Sequence, residues 1–224
     1  MEGMNSMENN IISIEHLSKK FGNTTVLNDV TISFEKGKIY GIVGRNGSGK
    51  TMLMKCICGF VNPTFGKITV SGKVVGKDVE IPEDIGIIIE TPGFVLNYSG
   101  YKNLKLLASV RGKITNDEII DAINTVGLNP ESKKHVGKYS LGMRQRLGIA
   151  QAIMEKPKIL ILDEPMNGLD NDGVAHIRDV LLKLKKEKVT IILASHNKED
   201  VEILCDEVCY MDKGQIKDQS SRRE

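Results

Sequence analysis

Short apolar runs recur in the first and last parts of this sequence, each about as long as one buried strand. They lie at residues 38–43, 85–89, 159–162, 189–193 and 207–211. Between the last three runs, apolar residues at 174–185 and 198–204 are spaced as on one face of a helix. Aliphatic strands that alternate with helices are typical of a mostly parallel sheet covered on both faces. The pattern therefore predicts an α/β core.

Two other patterns surround the first of these runs. Shorter strand-like pieces at 11–14, 30–34 and 68–70 are separated by turn residues, which predicts a small antiparallel sheet. Farther on, Thr115 and Glu118 have the spacing of a capping box, and Gly127 is placed to end the helix that they begin. Another helix is expected over 141–155.

These elements predict one domain over residues 1–224. Its core comprises 11–90 and 157–216, and a helical lobe of 91–156 is inserted into that core. A tail of 217–224 follows, and we expect its last residues, from Asp218, to be disordered.

Composition and charge narrow the class of protein. The chain has 31 Lys and Arg against 29 Asp and Glu, a net charge of +2, and this gives no reason to expect nucleic acid as a partner. No apolar run approaches the ~20 residues that span a bilayer, and the polar start does not resemble a signal peptide. Met1, Met4 and Met7 leave the true start open. The four cysteines are interpreted as buried apolar residues of a reducing compartment, with metal ligation as the alternative.

One segment has the motif of a phosphate-binding loop. It is Gly44-Arg45-Asn46-Gly47-Ser48-Gly49-Lys50-Thr51, which fits G-x-x-x-x-G-K-[ST] between a predicted strand and a predicted helix. Glycines let successive N–H groups turn towards the β-phosphate, Lys50 reaches the β- and γ-phosphates, and the Thr51 hydroxyl is available to Mg²⁺. The strand and helix on either side argue against a glycine-rich turn that matches by chance.

Acidic and imidazole side chains end two of the predicted strands. Asp163 and Glu164 follow four aliphatic residues, and His196 ends the next apolar strand. Ligands of open α/β sheets bind at the carboxyl ends of the strands, so we expect all three side chains at one edge. Asp163 is placed to support Mg²⁺, Glu164 to orient and deprotonate an attacking water, and His196 to contact a γ-phosphate. Solvated strand ends are the alternative.

A second anion site is predicted far along the chain from the phosphate loop. In Tyr139-Ser140-Leu141-Gly142-Met143, a Ser/Gly turn opens a helix whose first N–H groups are free to bind an anion. Because this turn is distant in sequence from the phosphate loop, we expect it to contact a phosphate held by another copy of the chain.

These motifs, in this order, resemble the ATP-binding subunits of ATP-binding cassette (ABC) transporters over about residues 11–216. Matches are the Walker A motif at 44–51, the signature at 139–143, the Walker B motif at 159–164, the D-loop at 167–170 and the switch histidine at His196. The resemblance implies a P-loop NTPase fold with an antiparallel β-subdomain and a helical subdomain. It also implies that Phe21 stacks on adenine, with simple side-chain filling as the alternative, and that Asp170 couples two ATP sites.

Two positions depart from the common family pattern. Leu141 replaces a glycine of the signature and makes that backbone less permissive, while Ser140 and Gly142 remain to contact the partner's γ-phosphate. Glu90 stands where most relatives carry the Gln of the Q-loop. Its carboxylate would ligate Mg²⁺ more firmly or repel the triphosphate when metal is absent, unless the change is neutral drift. Both departures are similar to exporters that confer lantibiotic immunity or bacitracin resistance.

The resemblance implies an ATPase that works as a head-to-tail pair. ATP and Mg²⁺ would be held by Phe21, residues 44–51, Asp163 and Glu90, and covered by Ser140–Gly142 of a second copy or of a homologous ATPase. The expected partner is a polytopic membrane subunit, so that the chain is cytoplasmic and peripheral on the inner face of the membrane. Its expected task is export of an antimicrobial peptide or drug. A soluble regulatory or repair ATPase and an importer subunit are the alternatives.

The segment 92–101 is rich in aromatic residues for this chain, with Phe94, Tyr98 and Tyr101. Aromatic residues are enriched at interface anchors, and the family contacts its membrane subunit here. The segment therefore either anchors that partner or forms a hinge packed by its own rings.

Overall fold

A computed structural model describes residues 9–221 of the chain. The question of the true start, at Met1, Met4 or Met7, lies outside the described residues, and so do positions 222–224 of the predicted tail.

The larger of two sheets has the strand order β10-β9-β3-β8-β7-β6. Its strands are β3 (Ile39–Val43), β6 (Ile85–Ile88), β7 (Ile159–Asp163), β8 (Thr190–Ala194), β9 (Glu207–Asp212) and β10 (Gln215–Ser221). All neighbours from β9 to β6 are parallel, and β10 pairs antiparallel with β9. The predicted α/β core is thus confirmed, and β3, β7 and β8 are almost wholly buried because their successive aliphatic residues are covered on both faces.

The smaller sheet is antiparallel, in the order β2-β1-β4-β5. Its strands are β1 (Asn10–Phe21), β2 (Thr24–Glu35), β4 (Phe65–Val70) and β5 (Lys73–Val74). Ile14 and Phe34 of this sheet share one hydrophobic core with Ile42 of β3 and Leu53 of helix α1 (Lys50–Ile57). The smaller sheet therefore holds the helix that follows the phosphate loop.

Five further helices follow α1 in the described residues. They are α2 (Gly100–Arg111), α3 (Asn116–Thr125), α4 (Leu141–Ile153), α5 (Asn171–Lys186) and α6 (Lys198–Leu204). Helices α2, α3 and α4 form the lobe around a second core that includes Leu104, Ile123 and Leu147. The predicted capping box is present: Glu118 N–H donates to Thr115 Oγ1 (3.3 Å), and Thr115 N–H donates to Glu118 Oε2 (2.9 Å).

The end of the chain differs from the prediction in two ways. Residues 218–221 are not disordered, because they belong to β10, whose backbone pairs with β9 as far as Ser221 opposite Glu207. Strand β9 was predicted to be fully buried, but only Cys209 and Met211 are buried, and Tyr210 is 43% exposed. One face of β9 is therefore covered and the other meets solvent.

Candidate active site

The phosphate loop connects the carboxyl end of β3 to the first turn of α1. Gly49 is the N-cap of α1 with φ of 107°, a backbone conformation that side-chain-bearing residues rarely adopt. A Cβ on Gly44 would overlap the Met211 carbonyl oxygen, so only glycine fits where the loop leaves the strand. No side chain caps α1, and its first N–H groups are left for a ligand.

Lys50 lies folded inside this loop and is 8% exposed. Its Nζ donates to the carbonyl oxygens of Gly44 (2.6 Å) and Arg45 (3.2 Å). The neighbouring Ser48 Oγ is buried, and among the described residues it has no hydrogen-bond partner. An ammonium held on neutral carbonyls and an unsatisfied buried hydroxyl both suit a loop shaped around an anion.

Thr51 and Asp163 meet across the sheet edge as their positions predict. Thr51 Oγ1 donates to Asp163 Oδ2 at 2.7 Å, although the two residues are 112 positions apart. Thr51 is in the first turn of α1 and Asp163 ends β7, so both are fixed by regular secondary structure. A hydroxyl and a carboxylate that converge in this way are oxygen ligands of the kind that Mg²⁺ takes.

Glu164 and His196 also lie together at this edge. Glu164 Oε2 is 2.9 Å from His196 Nδ1, and the Glu164 N–H donates to the Ala194 carbonyl (3.0 Å). Glu164 has φ of 50°, a left-handed conformation that costs a non-glycine residue about 1–2 kcal/mol. The structure thus turns the backbone sharply at the end of β7 and places the carboxylate against the imidazole.

Glu90, at the end of β6, has a partner that the sequence did not indicate. Its Oε1 is 2.6 Å from Lys55 Nζ, and its backbone is also left-handed, with φ of 61°. Lys55 stands four positions after Thr51 on α1, and this spacing places both side chains on one helix face.

Together these elements border a cavity of about 660 Å³. Its lining includes the loop residues Asn46 to Thr51, Lys55, Glu90, Asp163 and Glu164. Arg144 and Gln145 of α4 also line it, and sequence reasoning missed both. Gln145 Nε2 donates to the carbonyl of Pro165 (3.1 Å), so this side chain supports the backbone just after Glu164.

The predicted second anion site borders a separate cavity of about 610 Å³. Ser140 is the N-cap of α4, and its Oγ accepts a hydrogen bond from Met143 N–H at 3.1 Å. Asp170, the N-cap of α5, accepts from Gly173 N–H at 3.0 Å and lines the same cavity. The structure therefore brings Ser140, Leu141, Gly142 and Asp170 together, away from the phosphate loop, with Leu141 the residue common to both cavities.

The backbone at position 141 of the signature is compatible with leucine in place of the common glycine. It is the first residue of α4 and is not among the residues with positive φ, so its backbone does not need glycine. The side chain is 59% exposed and lies against Gly168 of the D-loop.

Phe21 and the aromatic residues of the segment 92–101 line neither of these two cavities. Phe21 ends β1, is 50% exposed, and has Lys19 Nζ 4.7 Å from its ring centroid. Phe94 and Tyr101 pack against the core of the lobe, whereas Tyr98 is 40% exposed. Two of the three rings are thus packed within the lobe, and anchoring of a membrane partner by this segment stays a prediction.

The four cysteines are free and buried. Burial raises the pKa of the Cys56 thiol to about 11 and that of Cys58, Cys205 and Cys209 to about 12. They therefore stay protonated near neutral pH and behave as small apolar residues.

Comparison with known proteins gives consistent results. The family described as "ABC transporter" matches residues 27–167. The bacitracin transport ATP-binding protein BcrA of Enterococcus faecalis is 44% identical to the chain over 208 residues, which are 92% of this chain and 68% of BcrA. The lantibiotic transport ATP-binding protein SrtF of Streptococcus pyogenes is 39% identical over 207 residues, covering 92% of this chain and 89% of SrtF.

Among solved structures, the chain is similar to the dimeric structure of a post-hydrolysis state of the ATP-binding cassette MJ0796 bound to ADP and Pi. The TM-score is 0.86 at 20% identity, covering 95% of this chain and 99% of that one. At this identity the similarity concerns the fold.

Proposed function

The chain belongs to the ABC transporter family as an ATP-binding and ATP-hydrolysing subunit, and from this premise we propose that it drives a membrane subunit by closing and reopening as a head-to-tail pair. The observation that carries the proposal is the separation of the two cavities. One has the phosphate loop and the carboxylates, and the other has the start of α4, capped by the Ser140 hydroxyl, together with Asp170. Each is half of a site, and a second copy or a homologous ATPase completes both.

Within one copy, the phosphate loop binds the triphosphate. Lys50 exchanges the loop carbonyls for the β- and γ-phosphates, and the N–H groups at the start of α1 surround the β-phosphate. Phe21 stacks on adenine from the end of β1.

Thr51 and Asp163 fit a magnesium ion, because their hydroxyl and carboxylate oxygens already converge. Mg²⁺ neutralises charge on the phosphates when bound. Glu90 lines the same cavity and is our further candidate for contact with the metal.

Glu164 orients the attacking water and accepts its proton. His196 Nδ1 donates to Glu164, which leaves Nε2 for contact with the γ-phosphate when the pair closes. Most of the rate enhancement then comes from positioning and charge stabilisation.

Contact with a membrane subunit is supported by a groove beside the edge strand β6. None of the helices formed by residues 9–221 has the length and apolar character needed to span a bilayer. The groove has a volume of about 480 Å³ and is lined by Phe60, Ile89, Leu107 and Val110, the last of them 80% exposed. We propose that the membrane partner docks here and near Tyr98, which places the chain on the cytoplasmic face.

Names of relatives indicate the class of cargo. BcrA and SrtF, described above, are transport ATP-binding proteins for bacitracin and a lantibiotic, which are antimicrobial peptides. We propose that this chain powers export of a compound of that class.

The test of the paired mechanism is Glu164→Gln. Without the base, the closed pair cannot hydrolyse ATP, so we expect a stable ATP-bound dimer at ATP and Mg²⁺ concentrations that leave the wild type mostly monomeric. Size-exclusion chromatography with light scattering measures the mass. Glu155→Gln, which alters a lobe carboxylate paired with Arg111, is the control and should behave as wild type. A Glu164→Gln variant that binds ATP and remains monomeric would contradict the pair.

A further inference from the structure

The ion pair between Lys55 and Glu90 joins two segments that border the nucleotide cavity. Lys55 belongs to α1, and Glu90 begins the link from β6 to the helical lobe. Their charged atoms are 2.6 Å apart, with the Lys55 side chain 27% exposed and the Glu90 side chain 65% exposed. The pair is therefore a contact between the phosphate-binding helix and the start of the lobe.

Glu90 is one of three acidic residues that line the nucleotide cavity. The other two are Asp163 and Glu164, and their negative charges disfavour a third carboxylate that lacks a cationic partner. The left-handed backbone of Glu90 adds a conformational cost, because L-residues with a Cβ disfavour φ near 61°. Lys55 offsets the charge and holds the side chain.

The link after Glu90 borders both the nucleotide cavity and the groove where we propose that the membrane subunit docks. Thr91 and Pro92 line both the nucleotide cavity and the groove beside β6. Pro92 also lies so close to Gly148 of α4 that a Cβ there would come within 2.7 Å of the proline ring. A contact that holds Glu90 in place therefore also restrains Thr91 and Pro92, which border both the nucleotide cavity and the groove.

Lys55 is placed where it competes with a bound cation. It stands one helical turn from Thr51, whose hydroxyl is already 2.7 Å from Asp163. We propose that Lys55 is a positioning residue that holds Glu90 and the link 90–92, and that the Glu90 carboxylate would leave Lys55 to hold Mg²⁺ when the metal binds with the nucleotide. The competition with Mg²⁺ rests on the proposed function, whereas the holding of Glu90 by Lys55 does not.

The first test needs neither nucleotide nor metal. Amide hydrogen exchange of the peptide spanning 89–95 is measured in the nucleotide-free protein for the wild type, Lys55→Met, Glu90→Gln and the double variant. We expect each single variant to exchange at least about threefold faster, and the double variant no faster than either, because all three lack the same pair. Lys55→Arg retains the charge and should restore slow exchange.

Lys156→Met is the matched control, since it removes a lysine with a comparable 2.8 Å pair to Glu118, outside the nucleotide cavity. It should leave exchange of the 89–95 peptide unchanged. The holding role would be overturned if the 89–95 peptide of Lys55→Met exchanged as slowly as in the wild type. It would also be overturned if Lys156→Met accelerated that exchange as much as Lys55→Met does.

The second test follows the Mg²⁺ concentration that gives half-maximal ATPase activity. Loss of the competing ammonium should lower it about threefold in Lys55→Met, and the same substitution should have little effect in a Glu90→Gln background. Equal shifts in both backgrounds would overturn the competition. A wild type without Mg²⁺-dependent ATPase activity would contradict the proposed function, and the exchange experiment would still decide the holding role.

Discussion

We propose phosphate contacts for two helix N-termini of this molecule, and the two differ in how the protein itself caps them. Helix α1 begins at a glycine that provides no side-chain cap, beside an unpartnered Ser48 hydroxyl and an ammonium resting on carbonyls. Helix α4 begins at Ser140, whose own hydroxyl caps it at 3.1 Å. The first end has no side-chain cap, whereas at the second the chain's own hydroxyl caps one of the first N–H groups.

This difference is consistent with different roles for the two helix ends in the proposed pair, in which α1 of one copy binds ATP and α4 of the other copy contacts it. A loop that must bind nucleotide first gains from unsatisfied groups, because the ligand supplies their missing partners. The N-terminus of α4 contacts a phosphate only when another copy brings it, so it must be stable in the single chain. The Ser140 cap provides that stability. Three substitutions test the contrast.

The largest effect is expected for Lys50→Ala. Removing the ammonium takes away charge stabilisation of the transferred phosphoryl group, so ATPase activity should fall by at least about 100-fold. Equilibrium binding of ATP to the single chain should weaken as well. Steady-state phosphate release and calorimetry measure the two quantities, and retention of both would refute the assignment of Lys50.

An intermediate effect is expected for Ser140→Ala. The loss of the cap should lower the free energy of unfolding by about 1 kcal/mol, and ATPase activity should fall by about tenfold because the partner's γ-phosphate loses a contact. ATP binding to a single chain should stay within about twofold of wild type, unlike Lys50→Ala.

Ser99→Ala provides the control for this substitution, because Ser99 caps α2 in the same manner. It should cost similar stability, also about 1 kcal/mol, and leave ATPase activity unchanged. If Ser140→Ala weakens ATP binding to a single chain as much as it weakens hydrolysis, the N-termini of α1 and α4 that contact one ATP do not belong to different copies.

The smallest effect is expected for Leu141→Gly, which restores the common family residue. Its backbone does not require glycine, so the change should remove only a side chain that covers Gly168 and should cost at most about 1 kcal/mol of stability. ATPase activity should stay within about threefold of wild type. A loss above tenfold would show that the leucine side chain itself takes part in closing the pair.

Much of the fold and the site could be predicted because their signals are local. Aliphatic runs defined β3, β7 and β8, and the strand ends that follow them placed Asp163, Glu164 and His196 at one edge. The family resemblance is confirmed by the match to residues 27–167. Adenine stacking by Phe21 stays a prediction.

What the sequence did not indicate depends on pairing between distant segments. Strand β10 is polar and forms because β9 offers it backbone partners. Helix α2 has a weak apolar stripe, and only its caps at Ser99 and Gly112 mark it in the sequence. Lys55 and Glu90 are 35 residues apart, and no periodicity links them.

The protonated, buried cysteines described above make the wild-type chain a ready background for site-directed labelling. Thiol reagents attack the thiolate, and with pKa values of about 11 to 12 fewer than about one thiol in a thousand is ionised at pH 7. A single cysteine introduced at exposed Phe65, which lines neither cavity, would take a spectroscopic probe while the four native thiols stay unmodified. Distances between two such probes would then report the closing of the pair directly, in the otherwise native sequence.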